Sequence, residues 1–132
     1  MQYLLDTHCL IWFQENNPKI PENVMKEIRN PLNIILFSQI SLYEIAIKQK
    51  IGKLPEFRAT ISEVYQQAIK DDFTFQTLEN SHIQNYEKVP LLQEHRDPFD
   101  RLLIATANKE NFTVLTADNN FNLYRELINV FW

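Results

Sequence analysis

The chain alternates short apolar runs with stretches in which apolar residues recur at helical spacing. The short runs are QYLLD (2–6), NIILFS (33–38), FTFQTL (73–78), FTVLTAD (112–118) and LINVFW (127–132). They are rich in β-branched and aromatic residues and lack the apolar–polar alternation of a half-exposed sheet, so they predict strands buried on both faces. Helical patterns fall between them: PENVMKEIRN (21–30), SLYEIAIKQKIGKL (41–54), TISEVYQQAIKDD (60–72), NSHIQNYEKV (80–89) and DPFDRLLIATANKEN (97–111). The first shows the signal plainly, with Pro21 at its start and Val24 and Ile28 one turn apart. Such alternation predicts an α/β fold, a mainly parallel sheet flanked by helices on both faces, in a single domain over residues 1–132. Leu102 to Ala107 has almost no polar face. That helix is expected to lie on the sheet and to be covered on its other side, by more chain or by a second subunit.

Composition narrows the class. With 132 residues, 45% of them hydrophobic and 23% charged, the chain can bury a real core and reads as an ordinary globular protein. Cys9 is the single cysteine, so there is no internal disulfide, and a reducing compartment is expected. No window approaches a membrane-spanning run, and the first residues lack a basic region and carry Asp6 inside their apolar stretch. A cytoplasmic protein without membrane contact is therefore expected. Gly52 is the only glycine, which excludes glycine-rich phosphate loops and the nucleotide cofactors they hold. Thirteen basic against 17 acidic residues leave a formal charge of −4, unlike a protein that grips nucleic acid by charge alone. If this chain handles a polyanion, contact is local or runs through bound cations.

Chain direction then sorts the acids. In a parallel sheet, the carboxyl ends of the strands and the amino ends of the following helices share one edge. Asp6 ends the first strand, Glu44 falls in the first turn of the helix after the second, Asp100 in the first turn of the apolar helix, and Asp118 ends FTVLTAD. Each has a bland reading as a cap. Ser41-Leu-Tyr-Glu44 matches a capping box. Asp97 is a good N-cap with Pro98 behind it and Asp100 in the third helical position, and Asp6 and Asp118 can each cap the helix that follows. One acid at a helix start is worth roughly 0.3–1 kcal/mol and needs no function. Four on one edge are different, because carboxylates brought together raise one another's pKa. A hard divalent cation removes that penalty, and an all-oxygen site selects Mg²⁺ or Mn²⁺ over zinc. Such ions bind phosphate oxygens, activate water and stabilise a leaving oxygen.

Other residues carry smaller signals. Thr7 and Thr116 sit beside two of the acids, and Ser38 or Ser41 can orient Glu44 or a water; each also serves as an ordinary cap. His95 and Arg96 enter from a loop and can meet a phosphate, although a solvated loop is the plainer reading. Lys48, Lys50 and Lys53, with Arg58 beyond, form the clearest basic cluster and the first candidates for phosphate contact. On the same segment Leu42, Ile45, Ile47, Ile51 and Leu54 offer more apolar surface than one stripe requires, which suits an interface. Trp12, Phe13 and Trp132 read as core or interface residues.

YLLDTHCLIW, then S-x-x-S-L-Y-E-I-A-I-K followed by GKL, then HRDPFDRLLIATA and LTADNNF, together resemble the PIN-domain ribonucleases. Within that group the chain is most similar to the VapC-type toxins of toxin–antitoxin pairs. The resemblance spans nearly the whole chain in order, and HRDPFDRLLIA is its most specific piece. It implies a parallel sheet with helices on both faces and an acidic pocket that binds Mg²⁺ or Mn²⁺ and cleaves RNA to 5′-phosphate and 3′-hydroxyl products. Carried across by position, the acids of that pocket are Asp6, Glu44, Asp100 and Asp118, with Asp97 outside the quartet. The resemblance also implies a homodimer silenced by a small antitoxin protein. Cys9 stands where an aliphatic residue is more usual. Two alternatives remain open at this point: a Mg²⁺-binding phosphotransfer or phosphatase-like α/β domain, and a non-catalytic binding module. Against the first, Asp6 stands alone where receiver-like domains pair their acids, and DTH lacks the second acid of D-x-D.

Overall fold

Each apolar run contributes one strand, trimmed at its ends: β1 (Gln2–Leu5), β2 (Ile34–Ser38), β3 (Thr74–Gln76), β4 (Thr113–Leu115) and β5 (Asn129–Phe131). The computed structural model describes residues 1–132. The strands form one all-parallel sheet in the order β3-β2-β1-β4-β5. Successive residues explain why these runs read as continuous apolar stretches. Tyr3 and Leu5, Ile35 and Phe37, and Leu115 pack into the core on one face, whereas Leu4, Leu36 and Val114 pack into the core on the other. A strand buried on both faces has no polar side to show.

The helices are α1 (Thr7–Gln14), α2 (Glu22–Arg29), α3 (Gln39–Lys50), α4 (Ile61–Lys70), α5 (Asn80–Asn85) and α6 (Pro98–Glu110), with 3-10 turns at Tyr86–Lys88 and Asn119–Tyr124. Periodicity does not mark α1, because Cys9, Leu10 and Ile11 are consecutive and all buried; only the capping role of Asp6 points to it. The helix expected over 41–54 begins earlier and ends sooner, at 39–50. Ser38 closes β2 and at once caps α3, accepting the Ile40 N–H at 3.0 Å. The expected capping box at Ser41 and Glu44 is therefore not formed: both residues lie inside the helix, and both are buried. A capping box does occur at Thr60 and Glu63, which open α4.

More chain covers much of α6, although Leu102 stays half-buried and lines an apolar hollow with Phe99 and the exposed Tyr43. Leu103, Ile104, Ala105 and Ala107 join the core on the second face of the sheet. On the outer side α5 docks through Asn85, whose Nδ2 donates to the Ala105 carbonyl at 2.8 Å, and through His82, whose Nε2 lies 3.0 Å from Glu110. Asn111, with φ at 61°, ends the helix in the left-handed conformation that asparagine tolerates. The surplus apolar residues of α3 resolve differently from one another: Leu42 and Ile45 are core, Leu54 packs against it, and Ile51 is exposed. Trp12, Phe13 and Trp132 are partly buried against the same core. No helix is long and apolar enough to cross a membrane.

Candidate active site

Strand order reverses between β1 and β4, since β1 leads on to β2 on one side and meets β4 on the other. In a parallel sheet such a switch point opens a crevice at the carboxyl ends of the strands. Leu5 pairs with Leu115, so the next residues, Asp6 and Thr116, face each other across it. Asp6 is buried, caps α1 by accepting the Cys9 N–H at 2.7 Å, and takes a short hydrogen bond from the Thr116 hydroxyl. Thr116 in turn accepts the Asp118 N–H at 3.0 Å, and Asp118, exposed, caps the 3-10 turn by accepting the Asn120 N–H at 2.9 Å. One threonine thus ties two of the acids together.

From β2 the chain supplies Glu44, in the second turn of α3 and only 2% exposed. The Thr7 hydroxyl donates to its Oε1 at 2.6 Å, with Ser41 Oγ 2.9 Å from the same hydroxyl, and Lys48 Nζ lies 2.8 Å from Oε2. From α6 comes Asp100. Asp97 Oδ1 caps that helix, accepting the N–H groups of Phe99 and Asp100 at 2.9 and 3.1 Å, as a cap followed by proline should. Asp100, one turn further in, is free of capping duty. It interacts electrostatically with Asp6 and Glu44, and with Asp118 and His95 it offers ligand atoms within 4.8 Å of one another. The four acids therefore arrive from four separate elements.

In two of them burial disfavours the charged form. Burial pushes Asp6 up to about 6, against the lowering effects of the Thr116 and Cys9 hydrogen bonds and the charge of His8, with Asp100 adding to the rise. Asp100 is likewise pushed up to about 6, first by burial; the His95 hydrogen bond opposes this, and the charges of Asp97 and Glu44 reinforce it. A site that penalises its own carboxylates in this way favours a cation. The donors offered by the four acids are all carboxylate oxygens, which fits a hard divalent ion.

His95, read in the sequence as a loop residue that can meet a phosphate or lie in solvent, takes a different place. It is buried rather than solvated, with Nε2 2.9 Å from Asp100 Oδ2 and Nδ1 2.8 Å from the Tyr124 hydroxyl. A histidine five residues before an acid was the only signal, and such spacing has no fixed geometry in a loop. Arg96, by contrast, is exposed. The basic cluster does not act as one face. Lys48 is committed to Glu44, and Lys50, two residues on, points elsewhere on α3. Lys53 instead lines a hollow with Lys19, His8 and Trp12, and His8 and Trp12 also border the depression that holds Asp6 and Asp118. Lys19, unremarked in the sequence, sits 5.3 Å above the Trp12 ring. A second acid–histidine group, Glu79, His82 and Glu110, is a packing staple. His82 Nδ1 accepts the Glu79 N–H at 3.1 Å and Nε2 meets Glu110, so both nitrogens are used.

A family model described as the PIN domain matches residues 3–127. No curated protein sequence matches the chain. Among solved structures, VapBC2 from Rickettsia felis, bound to a DNA fragment from its promoter, is similar at a TM-score of 0.68 and 17% identity, covering 99% of this chain and 98% of that one. VapBC-1 from nontypeable Haemophilus influenzae gives 0.68 and 18%, covering 99% and 97%. FitAcB from Neisseria gonorrhoeae gives 0.61 and 16%, covering 98% and 96%. At these identities the likeness is one of fold.

Proposed function

From the premise that this chain belongs to the PIN-domain family, we propose that it is a Mg²⁺- or Mn²⁺-dependent endoribonuclease, the toxin of a toxin–antitoxin pair. PIN domains are nucleases and generally depend on divalent metal. The observation that supports the reading is that Asp100 and Asp118 offer ligand atoms within 4.8 Å of each other at the switch edge. Asp6 and Glu44 are near enough to Asp100 to interact electrostatically, and Asp6 and Asp100 are pushed up to about 6. Helix caps alone do not account for it. Asp100 caps nothing, and Glu44 is buried mid-helix where a neutral residue would cost less.

In this reading the four carboxylates hold the metal, which when bound supplies a polarised water and charge neutralisation at the phosphate. The rest is done by the chain. Thr116 and the start of α1 fix the carboxylate of Asp6, Thr7 fixes Glu44, and Lys48 offsets part of the negative charge where the scissile phosphate must approach. Lys19, Lys53 and His8 lie where a phosphate backbone leaving the site can run. No side chain stands out as a general base.

Partners belong to the same reading: RNA as substrate, a small antitoxin and a second copy of the chain. The neighbours in fold are VapBC complexes, which supports the antitoxin. The deciding experiment compares wild type, Asp100→Asn and Asp97→Asn on structured RNAs with and without Mn²⁺. Cleavage by wild type that needs Mn²⁺, is lost in Asp100→Asn and survives in Asp97→Asn is expected. Equal cleavage by the Asp100 variant sinks the assignment.

A further inference from the structure

We propose that His95 is a positioning residue for Asp100, held in one tautomer between Asp100 and Tyr124, and that neither ring nitrogen ligates the metal. The inference rests on the carboxylate-site reading above, and it decides between two roles the geometry first offers. A nitrogen of His95 lies within 4.8 Å of ligand atoms on Asp100 and Asp118, close enough for all three to share a cation. Yet both nitrogens already have partners: Asp100 Oδ2 at 2.9 Å from Nε2 and the Tyr124 hydroxyl at 2.8 Å from Nδ1.

The partner of Nε2 fixes which nitrogen carries the proton. Asp100 Oδ2, 2.9 Å away, belongs to a carboxylate that accepts and does not donate, so Nε2 is the donor. Nδ1 is then the acceptor, and the Tyr124 hydroxyl has a proton to give it. His95 Nδ1 at 2.8 Å is well placed, whereas the His95 carbonyl at 3.4 Å is a poor second. An Nδ1 that accepts leaves the hydrogen on Nε2, and Nε2–H donates to Asp100 Oδ2. Ligation through Nε2 would have to remove that proton and break the bond to Asp100. The ordered arrangement instead commits Oδ2 to His95 and leaves Oδ1 as the oxygen available to a cation.

The scaffold around the ring is built to keep it still. His95 is 6% exposed and packs edge-on against Tyr124, with ring centroids 5.5 Å apart at 67°. The loop that carries it is pinned at its start by Arg101, which donates to the Tyr86 hydroxyl at 2.6 Å and to the Val89 carbonyl at 2.7 Å. At its end it is pinned by the Asp97 cap. Arg101 follows Asp100 directly on α6. The same turn of helix thus presents the acid and clamps the loop that orients it, which is how a supporting residue holds a ligand in productive geometry.

Three measurements test this. On the metal-free protein at about pH 7.5, ¹⁵N NMR of the His95 ring should show Nε2 protonated and Nδ1 bare; a proton on Nδ1 overturns the relay. Calorimetric Mn²⁺ titration should then show His95→Ala weakened by roughly 10–100-fold. His95→Gln should recover part of the loss, and Tyr124→Phe, which keeps the ring and its packing, should lose several-fold. Wild-type affinity in Tyr124→Phe, or strong ¹⁴N coupling from His95 in pulsed EPR of the Mn²⁺ complex, overturns the positioning role. If wild type binds no Mn²⁺, the carboxylate-site reading fails, while the ring measurement still decides the relay.

Discussion

Replacing Asp100 with asparagine should stabilise the metal-free protein at neutral pH while ending cleavage. The carboxyl group of Asp100 is displaced from 3.8 to about 6, chiefly by burial. At about 1.4 kcal/mol per pH unit, that displacement corresponds to roughly 3 kcal/mol. The sign follows from linkage. A carboxyl whose folded pKa is raised contributes stability that is complete below its unfolded value, near 4, and that is lost as pH rises through about 6. The carboxamide of the variant carries no charge at any pH and can still accept from His95 Nε2–H, so it does not suffer this loss. The assay is urea unfolding in EDTA at about pH 4 and about pH 7.5 for both proteins, one value on either side of the window. Relative to wild type, Asp100→Asn should gain roughly 2–3 kcal/mol between the two pH values. Because the variant and the wild type share every other titrating group, the double difference isolates this one together with the relief it gives Asp6. A relative stability that does not change with pH would refute the claim that the site holds its acids under strain. Adding Mn²⁺ at the higher pH should reverse the order, stabilising wild type but not the variant.

Four further outcomes follow from the same geometry. Metal-dependent cleavage should fall on the acid side as pH drops through about 6, where Asp6 and Asp100 take up protons that compete with the cation; a flat profile from about pH 5 to 8 would contradict this. Thr116→Val removes the donor that holds Asp6 and the acceptor that holds the Asp118 N–H, and should weaken Mn²⁺ binding and cleavage by roughly tenfold, read by calorimetry and gel assay. Lys48→Met removes a cation from Glu44, so Mn²⁺ should bind several-fold more tightly, by roughly 1 kcal/mol, while RNA binds less well. Lys19→Glu with Lys53→Glu should weaken RNA binding and flatten its salt dependence, and leave Mn²⁺ affinity unchanged in titrations.

Two matching patterns in the sequence show where local reading ends. Ser41-x-x-Glu44 and Thr60-x-x-Glu63 both fit a capping box. At Thr60 the box forms at an exposed helix start. At Ser41 the helix has already begun, because Ser38 passes from strand to cap without a loop, and Glu44 is carried into the interior toward Thr7 and Lys48. The two patterns themselves do not distinguish the cases. What distinguishes them is the sheet, which buries the start of α3 and leaves the start of α4 at the surface.

The sequence by itself determined the class of fold, because continuous apolar strands admit few arrangements other than a parallel sheet covered on both faces. It also pointed to one edge for the acids, since in a parallel sheet that edge follows from chain direction, although Glu44 lies a turn deeper in α3 than its local pattern suggests. Asp97 as cap and Asp100 as the unemployed acid one turn later were legible in the same way, from helix geometry and Pro98. Tertiary structure decided the rest. It buried His95, joined it to Tyr124 from 29 residues away, and turned Lys48 toward Glu44 while leaving Lys50 outside. It also raised Asp6 and Asp100, because desolvation depends on everything packed around a group and on nothing in its local sequence. The positions of the acids follow from the chain's direction; the penalty on their charged forms is a property of the packed fold.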